Sequence, residues 1–226
     1  MIVATQNLMW ARRDRGRGNV MAARIAGLSP DVVVWTEIVV TTEDTLSEAE
    51  YGYAHNGSRR KVAVTGTAKI VRSNDRLPSA PTGRFLEVWT AEGLRVIGVC
   101  IPWQDAHVAT GRKDRKRWED HLDYLKALDA YLPKRLDRTV MLGDFNQRLP
   151  RYWQPKYAEA ALREVLKGRF VVATEGLEHG GKATIDHIAV SPDLEICEVG
   201  TVSNHEGEMR LSDHFGTWAD IGVYSR

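Results

Sequence analysis

Asp144 and Asn146 stand two residues apart at the end of the apolar run Thr139-Val-Met-Leu-Gly-Asp-Phe-Asn. On an extended backbone both side chains point to one side. A carboxylate beside an amide at such a strand end can take a proton from water while holding that water in line; a turn aspartate followed by an asparagine cap has the same outward form. Thr184-Ile-Asp-His-Ile-Ala-Val sets Asp186 and His187 inside a second apolar run, so one of the pair must face inward or into a cleft. A buried carboxylate without a partner is costly. His214, in Leu211-Ser-Asp-His-Phe, is the candidate partner, because pairing with Asp186 would fix its tautomer and favour its charged form. A polar turn before a last strand is the alternative reading of Ser-Asp-His, and the pairing leaves Asp213 for a cation. Asn7 closes the run IVATQN, and Glu37 closes VVVWTE. Glu37, Asp213 and Asn7 are the oxygen-bearing types that suit a hard divalent cation such as magnesium, which keeps water and phosphate in the rest of its shell. Taken singly, Asn7 reads equally as a turn former and Glu37 as a helix N-terminal acid.

Strands are needed to place these groups, and the sequence offers eleven short runs rich in β-branched residues: Ile2–Thr5, Val32–Trp35, Val62–Thr65, Ala68–Val71, Phe85–Thr90, Leu94–Ile101, Thr139–Leu142, Phe170–Ala173, Thr184–Val190, Leu194–Val202 and Phe215–Ile221. That is too many for one ordinary open sheet. Helical spacing predicts a helix over Asp114–Leu132, with Trp118, Leu122, Leu125, Leu128 and Leu132 as one apolar stripe. Two more are expected over Asn19–Leu28, with Asn19 as N-cap, and over Lys156–Lys167, entered by Pro155. Helices between groups of strands predict two packed sheets with helices outside, a layered α/β architecture. The stretch Glu37–Glu50 carries five carboxylates and no lysine or arginine, and reads as a solvated loop or short helix.

The chain of 226 residues suits one large domain better than two, and 43% hydrophobic with 27% charged residues excludes disorder and miniprotein classes. A formal charge of +1 gives no global sign of a nucleic-acid binder, so local distribution must carry that case. Cys100 and Cys197 each lie in an apolar run, which suits buried thiols in a reducing compartment and excludes a cysteine–zinc cluster. The first residues read as a strand and not as a signal peptide, and no apolar run is long enough to span a membrane, so a cytoplasmic protein is expected.

Asn7 in TQN, Glu37 in TE, the Gly-Asp-Phe-Asn of Gly143–Asn146, the Ile-Asp-His of Ile185–His187 and the Ser-Asp-His of Ser212–His214, in that order, resemble the endonuclease/exonuclease/phosphatase superfamily. This group includes exonuclease III-like and DNase I-like nucleases, inositol polyphosphate phosphatases and neutral sphingomyelinases. The resemblance covers nearly all of the chain. It implies an α/β fold, a four-layer sandwich of two mostly antiparallel central sheets flanked by helices, and a magnesium-dependent site at one edge, with manganese as a substitute. It further implies Glu37 as principal metal ligand with Asn7 and Asp213 near the metal, and Asp144 orienting or deprotonating the attacking water with help from Asn146. His214, oriented by Asp186, would contact the scissile phosphate. Cys100 falls where many members carry a tyrosine or histidine, which would remove or replace one phosphate contact.

The superfamily spans DNA, RNA, lipid and inositol phosphates, so fold leaves the substrate open. The segment from Trp10 to Arg17 holds four arginines to one aspartate and starts beside Asn7; Arg112–Arg117 holds five bases to one acid near a helix start, where cations oppose the helix dipole. Arg12, Arg13 and a stacking face on Trp10 or Trp103 are candidates for gripping a polyanion. Solvated helix ends are the plainer reading of the charges, and core packing that of most of the seven tryptophans. A nuclease is thus favoured over an enzyme for a small or lipid phosphate ester, and a non-catalytic binding module ranks last because Glu37, Asp144, Asp186, Asp213 and His214 are all present.

Overall fold

Successive residues of the run Val32-Val-Val-Trp serve two different cores. Val32 and Val34 join a cluster with Leu86, Val96 and Val140, whereas Val33 and Trp35 pack with Met21 and Ile25. A strand apolar at every position must be covered on both faces, and that requirement sets the architecture.

The computed structural model describes residues 1–40, 50–51, 54–55, 57–109 and 111–222. Its principal elements are β1 (Ile2–Asn7), α1 (Gly16–Ala26), β2 (Val32–Val39), β3 (Arg59–Thr65), β4 (Ile70–Asn74), β5 (Phe85–Thr90), β6 (Arg95–Cys100), α2 (Glu119–Tyr131), β7 (Thr139–Asp144), α3 (Lys156–Leu166), β8 (Val171–Val172), β9 (Asp186–Val190), β10 (Glu195–Val202) and β11 (Gly216–Gly222). One sheet runs β10-β11-β1-β2-β3, with the short strands Glu50–Tyr51 and Ala54–His55 added on β3; the other runs β8-β9-β7-β6-β5-β4. β1 with β2 and β6 with β7 are parallel, and the remaining pairs are antiparallel. A parallel pair needs a crossover, and α1 and α2 lie within those two crossovers.

The sheets pack face to face through valine and leucine, α1 covers the outer face of the first, and α2 and α3 cover the second with Tyr124, Leu125, Leu128, Leu162 and Val165 against Phe85, Ile97 and Met141. This is the expected four-layer α/β sandwich. No helix among the described residues is long and apolar enough to cross a membrane.

All eleven expected runs contain strands, but several details differ. Helix α1 starts at Gly16, so Asn19 lies in its first turn and its amide reaches back to Arg13 O at 3.3 Å instead of capping the helix. The early start depends on Gly18, where a Cβ would fall 1.9 Å from Arg12 O. Helix α2 starts at Glu119 and not Asp114, because Trp118 has a left-handed backbone (φ 71°) that no helix can continue through. Leu122 is only half-buried, and His121 and Tyr124 complete the inward face in its place. Cys197 is exposed, contrary to the expectation of a buried thiol, because the edge strand β10 shifts register between Ile196 and Glu198. Of the tryptophans only Trp35 and Trp118 are buried. In the acidic stretch Glu37–Glu50, residues 41–49 lie outside the described residues.

Two buried histidines tie the segment after β7 to its surroundings. His121 Nδ1 donates to Pro102 O at 2.7 Å and its Nε2 accepts from Gln147 Nε2 at 2.6 Å, while His187 Nε2 donates to Gln147 O at 3.0 Å. Burial pushes both imidazoles down to about 4. Each is therefore neutral when folded but protonates near its ordinary value of 6.5 when unfolded, so each contributes stability above pH 6.5 that is lost as pH falls towards 4. Between pH 7 and 5 one such group costs about 2 kcal/mol. In urea titrations the loss of stability over that interval is expected to be smaller in His121→Gln than in the wild type by about this amount. An equal loss in both would show that His121 titrates normally.

Candidate active site

Asp144 and Asp186 are directly opposite each other in the antiparallel β7–β9 pair, which places both side chains on one face of the sheet. The run ends there for a steric reason. Gly143 has φ 134° and a Cβ on it would lie 2.1 Å from Val99 O, so only glycine allows β7 to approach β6 and deliver Asp144 at its edge. The first sheet supplies the other wall. β11 pairs antiparallel with β1, so the segment before it runs past Asn7. Ser212 Oγ donates to Asn7 O at 2.9 Å, and Gln6 Nε2 donates to His214 O at 3.2 Å. Asn7 Nδ2 then bridges the sheets, donating to Asp144 Oδ2 at 3.2 Å.

His214 Nδ1 lies 2.5 Å from Asp186 Oδ2, the pairing expected from the sequence, and its Nε2 is 3.8 Å from Asp213 Oδ1. Burial alone would lower the imidazole's pKa, but the charge and hydrogen bond of Asp186, with Asp144 and Asp213, push it up to about 10. His214 is therefore an imidazolium at neutral pH. Burial lifts Asp144 to about 7 against the opposing charge of His214, with Asp186 and Glu37 adding to the rise. Burial also raises Asp186, again opposed by His214.

Asp186 Oδ1 is buried and has no hydrogen-bond partner among the described residues. One ligand atom each from Asp144, Asp186 and His214 lie within 4.8 Å of one another. Two buried carboxylates outweigh the one imidazolium in charge, and this excess with an unsatisfied oxygen favours a hard divalent cation beside the cluster, held by oxygen groups and not by the protonated ring.

Glu37 stands in β2 with a left-handed backbone (φ 50°), half-buried, and its Oε1 accepts from Lys61 Nζ at 2.5 Å. Asn146 is not carried by the strand, because β7 ends at Asp144 and the alternation stops. It adopts φ 53°, its N–H donates to Asp144 Oδ1 at 2.9 Å, and its amide donates to Ile101 O at 2.8 Å. Asparagine tolerates that backbone.

The basic segments are less available than their composition implies. Arg12 is paired with Asp14, Arg13 lies 5.4 Å over the Trp35 ring, and the Trp10 ring is covered by Lys61 at 4.5 Å and Arg59 at 5.1 Å. Arg112 and Arg115 are bound by Asp120, and Arg115 also by Glu119 and Asp123, so acids in the first turns of α2 offset the cations. Trp103 does face open space, in a cavity shared with Asn146. Cys100 is opposite Asp144 in the parallel β6–β7 pair, yet its thiol is buried between the sheets and pushed up to about 12 by burial and the Asp144 charge. Turned into the core, the thiol does not reach the surface of the site; the nearby Arg84 donates to Cys100 O at 3.0 Å.

Sequence reasoning missed Arg148 and Lys182, which with His179 line the pocket of about 320 Å³ that holds Asp186, Asp213 and His214. No spacing marks Arg148, because the alternation that places Asp144 ends before it.

The sequence model of the Endonuclease/Exonuclease/phosphatase family matches residues 4–214. No curated protein matches the sequence at a significant level. Among solved structures, an AP endonuclease from Archaeoglobus fulgidus is similar over 99% of this chain and 100% of its own, at 18% identity and TM-score 0.74. The 3'-5' exonuclease NExo from Neisseria meningitidis is similar over the same shares, 99% and 100%, at 18% identity and TM-score 0.68. The 3' phosphatase NExo from Neisseria bound to product DNA hairpin gives 17% identity and TM-score 0.66, again over 99% and 100%. With a family match that runs from β1 to His214 and takes in every motif of the site, the chain belongs to the endonuclease/exonuclease/phosphatase family of hydrolytic enzymes.

Proposed function

We propose that this chain is a magnesium-dependent phosphodiesterase that cleaves nucleic acid, its residues forming one catalytic domain that works in the cytoplasm. The observation that carries the reading is the junction of Asp144 with a His214 imidazolium held by buried Asp186, beside a pocket that Asp186 and His214 share with Arg148 and Lys182. Solved structures of the same fold include enzymes of DNA, which favours a polymer over a small or lipid ester.

In this reading Asp144 accepts a proton from the attacking water, and Asn7 and the Asn146 N–H hold its carboxylate in place. His214 directs its Nε2–H at the phosphoryl oxygen, where an imidazolium in a buried site stabilises developing negative charge more than it would in water. Asp186 fixes its tautomer. Glu37, Asp213 and Asn7 would supply oxygen to magnesium, with manganese as a substitute, and the bound ion would neutralise charge on the equatorial oxygens. Glu37→Ala weakens that binding. Arg148 and Lys182 would hold the flanking phosphates.

The test is hydrolysis of labelled single- and double-stranded DNA and RNA with magnesium, with EDTA, and by Asp144→Asn. Cleavage that needs magnesium and is lost in the variant is expected. If no polymer is cut while a small or lipid phosphate ester is, the nucleic-acid reading is wrong and the phosphoesterase reading stands.

A further inference from the structure

Aromatic surface is exposed in one place. Trp103, Tyr152, Trp153 and Tyr157 are 44%, 70%, 77% and 55% exposed, and they are the largely exposed aromatic side chains among the described residues. Trp103, Trp153 and Tyr157 line a single cavity of about 630 Å³, and Tyr152 packs edge-on against Trp153 with ring centroids 4.7 Å apart. Scattered apolar groups on a surface need no explanation, but a patch of this kind marks an interaction site.

The aromatic groups are held out by a built segment. Between β7 and α3, Gln154 Nε2 donates to Arg148 O at 2.5 Å, Leu149 is buried with its carbonyl accepting from Gly176 N at 2.7 Å, and Gln147 Nε2 donates to Ala158 O at 2.9 Å. The exposure of Trp153 is thus fixed by a chain anchored at three points.

The chemistry of the wall says what fits. Arg117, which is largely exposed and 3.5 Å from Asp105 Oδ1, and Arg148 share the cavity with the aromatic rings, and no carboxylate lines the cavity among the described residues. Arg148 and Ile185 line both this groove and the pocket of His214, so the two are neighbours that share a wall. Flat rings beside arginines bind nucleic acid by stacking on base faces while the cations meet the backbone. Inside a duplex those faces are already stacked, so the rings are usable only to bases that are unpaired.

We infer that this groove seats an unpaired nucleic-acid strand leading away from the scissile phosphate, its bases stacked on Trp103, Trp153 and Tyr157 and its phosphates facing Arg117 and Arg148. The inference rests on the nucleic-acid reading above and adds the form of the substrate.

It is tested by anisotropy titrations in EDTA, where nothing is cut, with fluorescein-labelled oligothymidylate, oligouridylate and a blunt-ended DNA hairpin. Both single strands are expected to bind roughly tenfold or more tightly than the hairpin, and the tighter of the two names the sugar. Trp153→Ala and Tyr157→Ala should each weaken single-strand binding about tenfold without changing its dependence on salt. Arg117→Ala and Arg148→Ala should each flatten the log–log salt slope by about 0.7. The aromatic side chains are exposed, so thermal melts of their variants should match the wild type. Equal affinity for hairpin and single strand, or unchanged affinity in both aromatic variants, overturns the inference, as does binding of anionic lipid vesicles in place of the oligomers. If magnesium-dependent cleavage of polymers persists in that event, the nuclease reading survives without the groove; if cleavage is absent as well, both fall.

Discussion

Asp144→Asn lowers the rate of phosphodiester hydrolysis by about 10²- to 10⁴-fold, the scale on which a positioned general base contributes. The substitution keeps the side-chain shape and an Oδ1 acceptor for the Asn146 N–H that now donates at 2.9 Å, but it sets an amide donor against Asn7 Nδ2, which now donates to Asp144 Oδ2 at 3.2 Å. What is lost is that one contact and the ability to take a proton. The same change has a second signature, in stability. Asp144 titrates at about 7 in the fold because burial resists its ionisation, against an ordinary 3.8. A folded pKa above the unfolded one means that stability is lost as pH rises through that window. Asparagine does not titrate, so in EDTA the variant should be more stable than the wild type at pH 8 and lose that advantage below pH 4. Urea titrations at the two pH values, beside initial rates with magnesium, measure both effects. An inactive variant that is less stable at pH 8 would mean that Asp144 supports the fold, and an active one would remove it from the chemistry.

Much of this site was legible because its residues lie at or near the ends of recognisable strands: Asn7 and Asp144 close β1 and β7 and Asp186 opens β9, although Glu37 lies inside β2, which runs on to Val39. The Asp186–His214 pair follows from one argument, that a carboxylate inside Thr184-Ile-Asp-His-Ile-Ala-Val needs a partner, and the two atoms lie 2.5 Å apart. The strands themselves were legible because both sheets are covered on both sides, which writes continuous β-branched runs into the chain. Asn146 shows where such reading stops. Period-two alternation holds only while the backbone is extended, and no pattern of residue types announces that β7 ends at Asp144, two residues before the motif does. Helix α2 fails in the same way at Trp118, whose apolar character fits the stripe while its backbone does not. Charge composition misled more seriously. Arg112–Arg117 looks like a polyanion grip, but Asp120 and Asp123 lie a helical turn or two further on and take up Arg112 and Arg115. Ion pairing between segments is invisible to a count of bases along one of them. Trp103 was legible as a stacking face, but Trp153 and Tyr157, which complete its groove, were hidden for a related reason, since they come from a segment far from it in sequence.

His214→Ala and Asp186→Asn together test whether the pair acts as one unit. Asp186 is buried, and removing the imidazolium leaves its carboxylate unpaired, so His214→Ala should cost about 3–5 kcal/mol of stability as well as about 10²- to 10³-fold in rate. Asp186→Asn acts differently. His214 keeps its place, but burial then works on the imidazole with its main opposing charge removed, and its pKa falls from about 10. Since the protonated ring is the active form, the alkaline limb of the rate profile is expected to move to lower pH in Asp186→Asn, while Asp144, which must be ionised to act as base, still sets the acid limb. A purely structural role for Asp186 would lower activity equally at every pH. The double variant should be little slower than His214→Ala alone, because Asp186 acts through the ring that is already gone. It should also be more stable than His214→Ala, since the buried charge has gone with its partner. Rate losses that simply multiply in the double variant would show that the two residues act independently, and would leave the unpartnered Asp186 Oδ1 to be explained by a role of its own at the cation.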